Sequence, residues 1–212
     1  MFVVESKGRS GGLALLWNEE DDITIQNYSS HHITAKVLFM VDKYPRKFMG
    51  FYGHPDTMKR KETWKILRYL NTIDPMLWVC GGDFNEIITG TKKFGGRGRA
   101  SYLMKDFKNT LEVCELHYLG YIGPKFTWNN GCKGGEFTKE RFDRITATTN
   151  WCTMYPKVEI NVGEELSSDH CPIHMVFRGN DSCTRRHRVF RYEARWRGGG
   201  KMWESGKTSL AS

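Results

Sequence analysis

Nowhere in this sequence do eighteen apolar residues run together, so no segment is expected to cross a bilayer as a helix. The opening stretch MFVVESKGRSGG lacks the basic region, apolar core and small-residue cleavage site of a secretory signal, which predicts a chain that is not exported. The six cysteines (Cys80, Cys114, Cys132, Cys152, Cys171, Cys183) contain no CxxC pair and no matching histidine pair. That spacing argues against structural zinc and predicts free thiols in a reducing, intracellular setting. No internal repeat is visible. An excess of charge is also missing from most of the chain. Residues 178–212 hold nine Lys/Arg and three Asp/Glu, 9 − 3 = +6, so 8 − 6 = +2 of the formal +8 remains for residues 1–177. A nearly neutral body with a basic tail suits a polyanionic partner, or simply a solvated, disordered terminus.

What is present is enough for one core. A chain of 212 residues, 39% hydrophobic and with seven Trp, predicts a single globular domain over 1–177 followed by a basic linker at 178–212. Gly11–Trp17 and Ile23–Tyr28 flank the acidic turn NEEDD and read as a strand pair. Ile33–Val41 and Lys47–Gly53 read as two more strands. Asp56–Asn71 has Trp64, Leu67 and Leu70 near helical spacing, and Tyr102–Cys114 places Leu103, Phe107, Leu111 and Cys114 on one face. MLWVCGG, KFTWNNG, RFDRITA and DHCPIHMVF supply further strands. Many strands with few interposed helices predict an α/β layered fold.

The residue types that carry chemistry sit where strands end. LWVCGGDFNEI stops an apolar run at two glycines and then offers Asp83 and Asn85, two apart and so on one face if the strand continues. A carboxylate is a hard ligand for Mg²⁺, and a carboxamide can donate to a phosphate oxygen. The glycines would let a substrate approach the backbone; the competing reading is a turn in which both side chains bond nearby amides. In SSDHCPI, His170 is a candidate general base, and Asp169, its neighbour, is poorly placed to orient it. Asp143 in RFDRI is the natural orienting carboxylate, unless it forms a buried ion pair with Arg141 or Arg144. Tyr52 in GFYGHP could hydrogen-bond a phosphate or be a core aromatic, and Trp128 could stack on a base or fill the core. His31 and His32 read as cross-strand surface residues. The glycine- and cation-rich loop TKKFGGRGRA offers Lys92, Lys93, Arg97 and Arg99 to a polyanion.

In the order GFYGHP, GGDFNE, KFTWNNG, RFDRI, SSDHCPI, the chain resembles the endonuclease/exonuclease/phosphatase family. Within it, GRSGGLALLW, GFYGHPDTMKRKETW and RRHRVFRYEARW are most similar to the endonuclease domain of plant LINE-type (non-LTR) retrotransposon polyproteins. The resemblance implies a four-layer sandwich, two face-to-face β-sheets flanked by helices, and Mg²⁺-dependent (or Mn²⁺-dependent) hydrolysis of a phosphodiester. It implies His170 as base, Asp143 as its orienting partner, and Asp83 positioning water or protonating the leaving oxygen. Asn85 and Tyr52 would hold the phosphate, Asp169 and Asp83 the metal, and Trp128 would pack beside the bound strand. DNA is the implied partner, with RNA as the alternative, and no membrane or obligate protein partner; the implied compartment is the nucleus. Family members begin with a strand ending in Asn and a second ending in Glu, and nothing here matches either. The first strands are therefore expected to be missing, the metal weakly held and activity low. Glu5 in VESKG is not assigned as that ligand, because VVESKGRSGG matches the segment just before GLALLW; were the chain fully active, Glu5 or Glu86 would be the first suspects for holding the metal. A nucleic-acid-binding remnant of a retroelement, or a phosphatase of the same superfamily, are the alternative functions.

Overall fold

The computed structural model describes residues 1–7, 10–38, 44–73, 77–165 and 167–178. Thirteen strands and three α-helices are found there. A hairpin of Phe2–Lys7 (β1) and Ser10–Leu15 (β2) comes first. The main sheet has six strands, in the order Asp22–Ser29 (β3), His32–Leu38 (β4), Pro45–Tyr52 (β5), Leu77–Asp83 (β6), Asp143–Thr148 (β11) and Leu116–Tyr118 (β8). Only β5 and β6 are parallel, and Arg60–Ile73 (α1) makes the crossover that parallel neighbours need. Ser101–Val113 (α2) follows the two-residue strand Lys93–Phe94 (β7), which pairs with Lys139–Glu140 (β10), itself paired with Trp128–Asn129 (β9). Thr149–Met154 (α3) leads to a last hairpin of Val158–Val162 (β12) and Ile173–Phe177 (β13).

Strand alternation decides which side chains meet which layer. Met49, Phe51, Trp78 and Cys80 point to one face of the main sheet and pack against Trp64, Leu67 and Leu70 of α1 and Phe107 and Leu111 of α2. Phe48, Val79, Ile145 and Ala147 point to the other and meet Trp151 of α3, Val158 of β12 and Met175 and Phe177 of β13. The result is a mixed α/β sandwich in which a β-hairpin layer faces the main sheet and two helices cover its back. Among the described residues no helix is long and apolar enough to cross a membrane.

The structure corrects several expectations. The strands on either side of NEEDD do not pair with each other: β2 folds back on β1 and β3 pairs with β4. Gly11 and Gly12, at φ of 82° and 85°, supply the left-handed backbone at the start of β2 that other residues avoid. The helix expected over Asp56–Asn71 starts only at Arg60; the Asp56 carboxylate accepts the Met58 N–H at 2.9 Å in a turn that ends before it. His32 is buried rather than exposed, with Nε2 against Asn27 Oδ1 and Nδ1 against Ser29 Oγ, both at 2.8 Å. Because Oδ1 only accepts, Nε2 carries the proton, and burial followed by the nearby His31 lowers the His32 pKa to about 4. Of the basic tail, only Arg178 lies within the described residues, where it pairs with Glu159 at 2.7 Å.

Candidate active site

Three neighbouring strands bring the first candidates together by register alone. Tyr52 at the end of β5 pairs with Asp83 at the end of β6, and Asp83 pairs with Asp143 at the start of β11. All three have the parity of Phe48, Val79 and Ile145, so they line one edge of the sheet on the side of the β-hairpin layer. The glycines before Asp83 serve this closeness rather than a substrate's approach. A Cβ on Gly82, at φ 142°, would lie 2.1 Å from the Phe51 carbonyl oxygen, and one on Gly53 would lie 2.1 Å from that of Phe84. Only glycine lets the ends of β5 and β6 lie this tightly side by side.

Asp83 and Asn85 do sit together, through a turn and not through strand alternation. β6 ends at Asp83, and Asn85 takes a left-handed φ of 53° that asparagine tolerates better than most residues. The Asp83 carboxylate accepts the Asn85 backbone N–H at 2.8 Å and its Nδ2–H at 2.7 Å; Nδ2 also donates to the Gly53 carbonyl at 2.9 Å. Burial and the Asp83 charge raise the Tyr52 pKa, opposed by the Gly11 backbone and the Asn85 side chain.

His170 comes from the strap before β13, not from the strand itself. Its Nδ1 lies 2.8 Å from Asp143 Oδ2, which leaves Nε2 as the nitrogen facing away from the carboxylate. Neither ion pair considered for Asp143 forms. Arg141 bonds Tyr118 Oη at 2.8 Å and the carbonyls of Pro124 and Lys125, and Arg144 bonds the carbonyls of Glu86 and Arg141. Burial works to lower the His170 pKa, but the Asp143 hydrogen bond and the charges of Asp143, Asp83 and Asp169 outweigh it and hold the proton more tightly than in free histidine. Burial first, then the Asp143 charge, pushes the Asp83 carboxyl up. Two groups at one site, each retaining a proton beyond its ordinary range, can donate to a reacting oxygen.

Asp169 is exposed on the same strap; its Oδ2 accepts Trp128 Nε1–H at 2.9 Å. Trp128 thus borders the site, with a cavity of about 230 Å³ beside it that also touches Phe126, Asn129, Lys139 and Cys171. Thr127 is a residue that sequence reasoning misses. Fully buried, its hydroxyl accepts the backbone N–H of Phe142 and Asp143 at 3.1 and 3.0 Å, and its carbonyl accepts that of Cys171 at 2.7 Å. It therefore ties the strand of Asp143 to the strap of His170. Its only sequence signal is a hydroxyl between two aromatic residues in FTW.

The loop cations divide. Lys93 is 2.5 Å from Glu140, and Arg99 bonds both Glu140 and, at 3.2 Å, Glu86. These two are anchors of a mostly buried ion network that includes Arg60, 2.7 Å from Glu86, and they are not available to a polyanion. Lys92 rests on the Tyr121 ring, its Nζ 4.9 Å from the centroid, and Arg97 is exposed. The same network removes Glu86 from consideration as a metal ligand, because both of its carboxylate oxygens face guanidinium groups. Glu5 is exposed on β1.

Among the described residues no group of three or more His, Cys, Asp or Glu side chains forms a metal cage. Both Asp83 oxygens already accept N–H groups of Asn85, and the exposed Asp169 accepts Trp128 Nε1–H at 2.9 Å and the Ser168 hydroxyl at 3.5 Å. The donor set therefore does not make a dedicated protein cage. It fits only an ion such as Mg²⁺, which commonly takes one or two carboxylates and completes its shell with water and substrate oxygens.

No protein-family model and no curated protein matches this sequence. Solved structures do match in fold. The endonuclease domain of TRAS1, a telomere-specific non-LTR retrotransposon, is similar with a TM-score of 0.60 at 19% identity, over 78% of this chain and 73% of that one. AP endonuclease LMAP from Leishmania major gives 0.55 at 16% identity, over 71% of this chain and 55% of that one. Beta toxin from Staphylococcus aureus gives 0.50 at 16% identity, over 70% and 57%. The chain spans little more than half the length of the last two. It has the endonuclease/exonuclease/phosphatase fold.

Proposed function

We propose that this chain is a phosphodiester hydrolase acting on DNA, related to the endonuclease domains of LINE-type retrotransposons. One observation carries the reading: His170, with Nδ1 bonded to Asp143 at 2.8 Å, lies beside the Asp83–Asn85 turn at the edge of the sheet. A histidine fixed through Nδ1 presents Nε2 to a water or a phosphate oxygen. The Asn85 amide donates both of its hydrogens to Asp83 and Gly53, so it would orient an anionic oxygen by exchanging one of those bonds for it. Asp83, whose carboxyl retains its proton beyond the usual range, suits protonation of the leaving oxygen. Tyr52, paired with Asp83 across the strand ends, adds a hydroxyl to the same edge.

Mg²⁺, or Mn²⁺ in its place, would be held by Asp169 and, once its carboxyl has lost its proton, by Asp83, together with water and phosphate oxygens, and would supply stabilisation of the phosphoryl charge. With only these two carboxylates, and Asp83 already bonded, metal affinity is low and hydrolysis slow. Supporting the DNA reading are the likeness to the TRAS1 endonuclease domain and the half-buried Trp128, whose ring nitrogen bonds Asp169 on the His170 strap. The test is nicking of supercoiled plasmid with Mg²⁺, by this chain and by one extended at its N-terminus with a family-type strand ending in Glu. Slow Mg²⁺-dependent nicking that the extension accelerates supports the reading. Absence of nicking by both removes it.

A further inference from the structure

Arg144 is a buried cation that the proposed chemistry leaves without a task. It is 1% exposed and follows Asp143 on β11, so its side chain points to the opposite face, towards the helix layer. There the guanidinium lies over Phe84 and Phe107, its carbon 5.6 and 5.1 Å from the two ring centroids. Among the described residues no carboxylate pairs with it, and its Nε has no hydrogen-bond partner. Burial draws its pKa down to about 10, which still leaves it charged at neutral pH. A buried charge without a paired carboxylate is costly. An apolar side chain between the two phenylalanine rings would avoid that cost. The bonds that hold the guanidinium go to main chain instead: Nη1 donates to the Glu86 carbonyl at 2.6 Å, and Nη2 to the Arg141 carbonyl.

These two carbonyls belong to the two segments that carry the candidate site. Glu86 follows Asn85 in the turn after β6, and Arg141 lies just before Asp143. On the other side of Asn85, the Phe84 N–H donates to the Phe142 carbonyl at 3.1 Å. Asn85, at its left-handed φ of 53°, is therefore bracketed by two bonds to the same stretch, residues 141–144. Resting on the proposed function, we propose that Arg144 is a positioning residue: its fork ties the Asp83–Asn85 turn to the start of β11 and so sets the aim of the Asn85 amide relative to the His170–Asp143 pair. A planar guanidinium spans two carbonyls in fixed geometry, whereas an ammonium is a point donor on a flexible stem. Without the fork Asn85 is held on one side only, free to leave a backbone conformation that few residues other than glycine adopt.

The test is Mg²⁺-dependent nicking of supercoiled plasmid, with rate followed against DNA concentration, in this chain and in its N-terminally extended form. Arg144→Met fills the space between the rings without a charge and should keep a cooperative melt; Arg144→Lys is the variant that decides if Arg144→Met does not fold. Each is made alone and combined with Asn85→Ala. A displacement of about 1 Å at the reacting groups can cost about 10²-fold, so kcat of Arg144→Met should fall by up to that factor and that of Arg144→Lys by less. KM should stay unchanged, because the lost aim matters in the transition state and not in uniform binding. Since Arg144 acts through Asn85, the combined variant should be no slower than Asn85→Ala alone. Parent-like kcat in the folded Arg144 variant, a rise in KM alone, or losses that multiply in the combined variant would overturn the positioning role, while nicking by the parent upheld the reading of function. No nicking by the parent or by the extended chain would overturn both.

Discussion

Glu86→Gln tests the division between the buried ion network and the catalytic edge. Glu86 has 1% of its side chain exposed and is paired with Arg60 at 4% and Arg99 at 16%. Removing one partner of a buried pair leaves uncompensated charge, at a cost of about 3–5 kcal/mol. Here Arg60 keeps the carbonyls of His54 and Pro55, and Arg99 keeps Glu140, so about 3 kcal/mol is expected, the low end of that range. For a folded unit of this size that corresponds to a fall in Tm of about 6–12 °C. Chemical denaturation followed by tryptophan fluorescence should show a lower midpoint at unchanged slope. Glu62→Gln, which breaks an exposed pair with Lys65, should leave the midpoint where it was. The loss for Glu86→Gln should be the same with and without Mg²⁺. A midpoint like that of Glu62→Gln, or a loss seen only with Mg²⁺, would refute the network's structural role and return Glu86 to the metal.

Acid stability should carry the signature of His32. Its folded pKa of about 4 lies below the free value of about 6.5, so between those pH values the unfolded chain binds more protons and stability falls as pH falls. The window is worth about 3 kcal/mol, at about 1.36 kcal/mol per pH unit; His32→Gln should lose less stability between pH 7 and pH 4 than the parent, and an identical pH profile would contradict the burial of a neutral imidazole. Deleting residues 178–212, which carry nine Lys/Arg and three Asp/Glu, should flatten the salt dependence of DNA binding by about 0.9 for each phosphate that is no longer neutralised, and an unchanged slope would move the binding surface to the body.

Much of this fold is legible in the sequence because its periodicities are local. Trp64, Leu67 and Leu70 on α1 and the apolar runs of β4, β5 and β6 announce themselves within a few residues. Pairing is harder to read, since the acidic turn after Trp17 looks like a hairpin but joins strands with different partners. Asp83, Asn85, Asp143 and His170 can be named from five separated motifs, yet what unites them is register across three strands and a strap. The turn that aims Asn85 depends on a left-handed residue after the strand's end, which no alternation pattern reveals. Lys93 and Arg99 read as free cations because their partners, Glu86 and Glu140, lie in other segments, and a cation-rich loop looks solvated until its counter-charges are placed. Val158–Val162 and Thr149–Met154 escape a pattern-based reading, being short and weakly periodic.

The central claim is that His170 and Asp143 act as one unit on a phosphodiester. The direct measurement is the rate of Mg²⁺-dependent plasmid nicking for the parent, His170→Ala, Asp143→Ala and the double variant, each purified to the same melting behaviour. General acid–base catalysis by one positioned group contributes about 10²–10⁴-fold, so His170→Ala should lower the rate by that order. Because Asp143 acts through His170, the double variant should be no slower than His170→Ala alone. Full nicking by His170→Ala, or two losses that simply multiply in the double variant, would contradict the account.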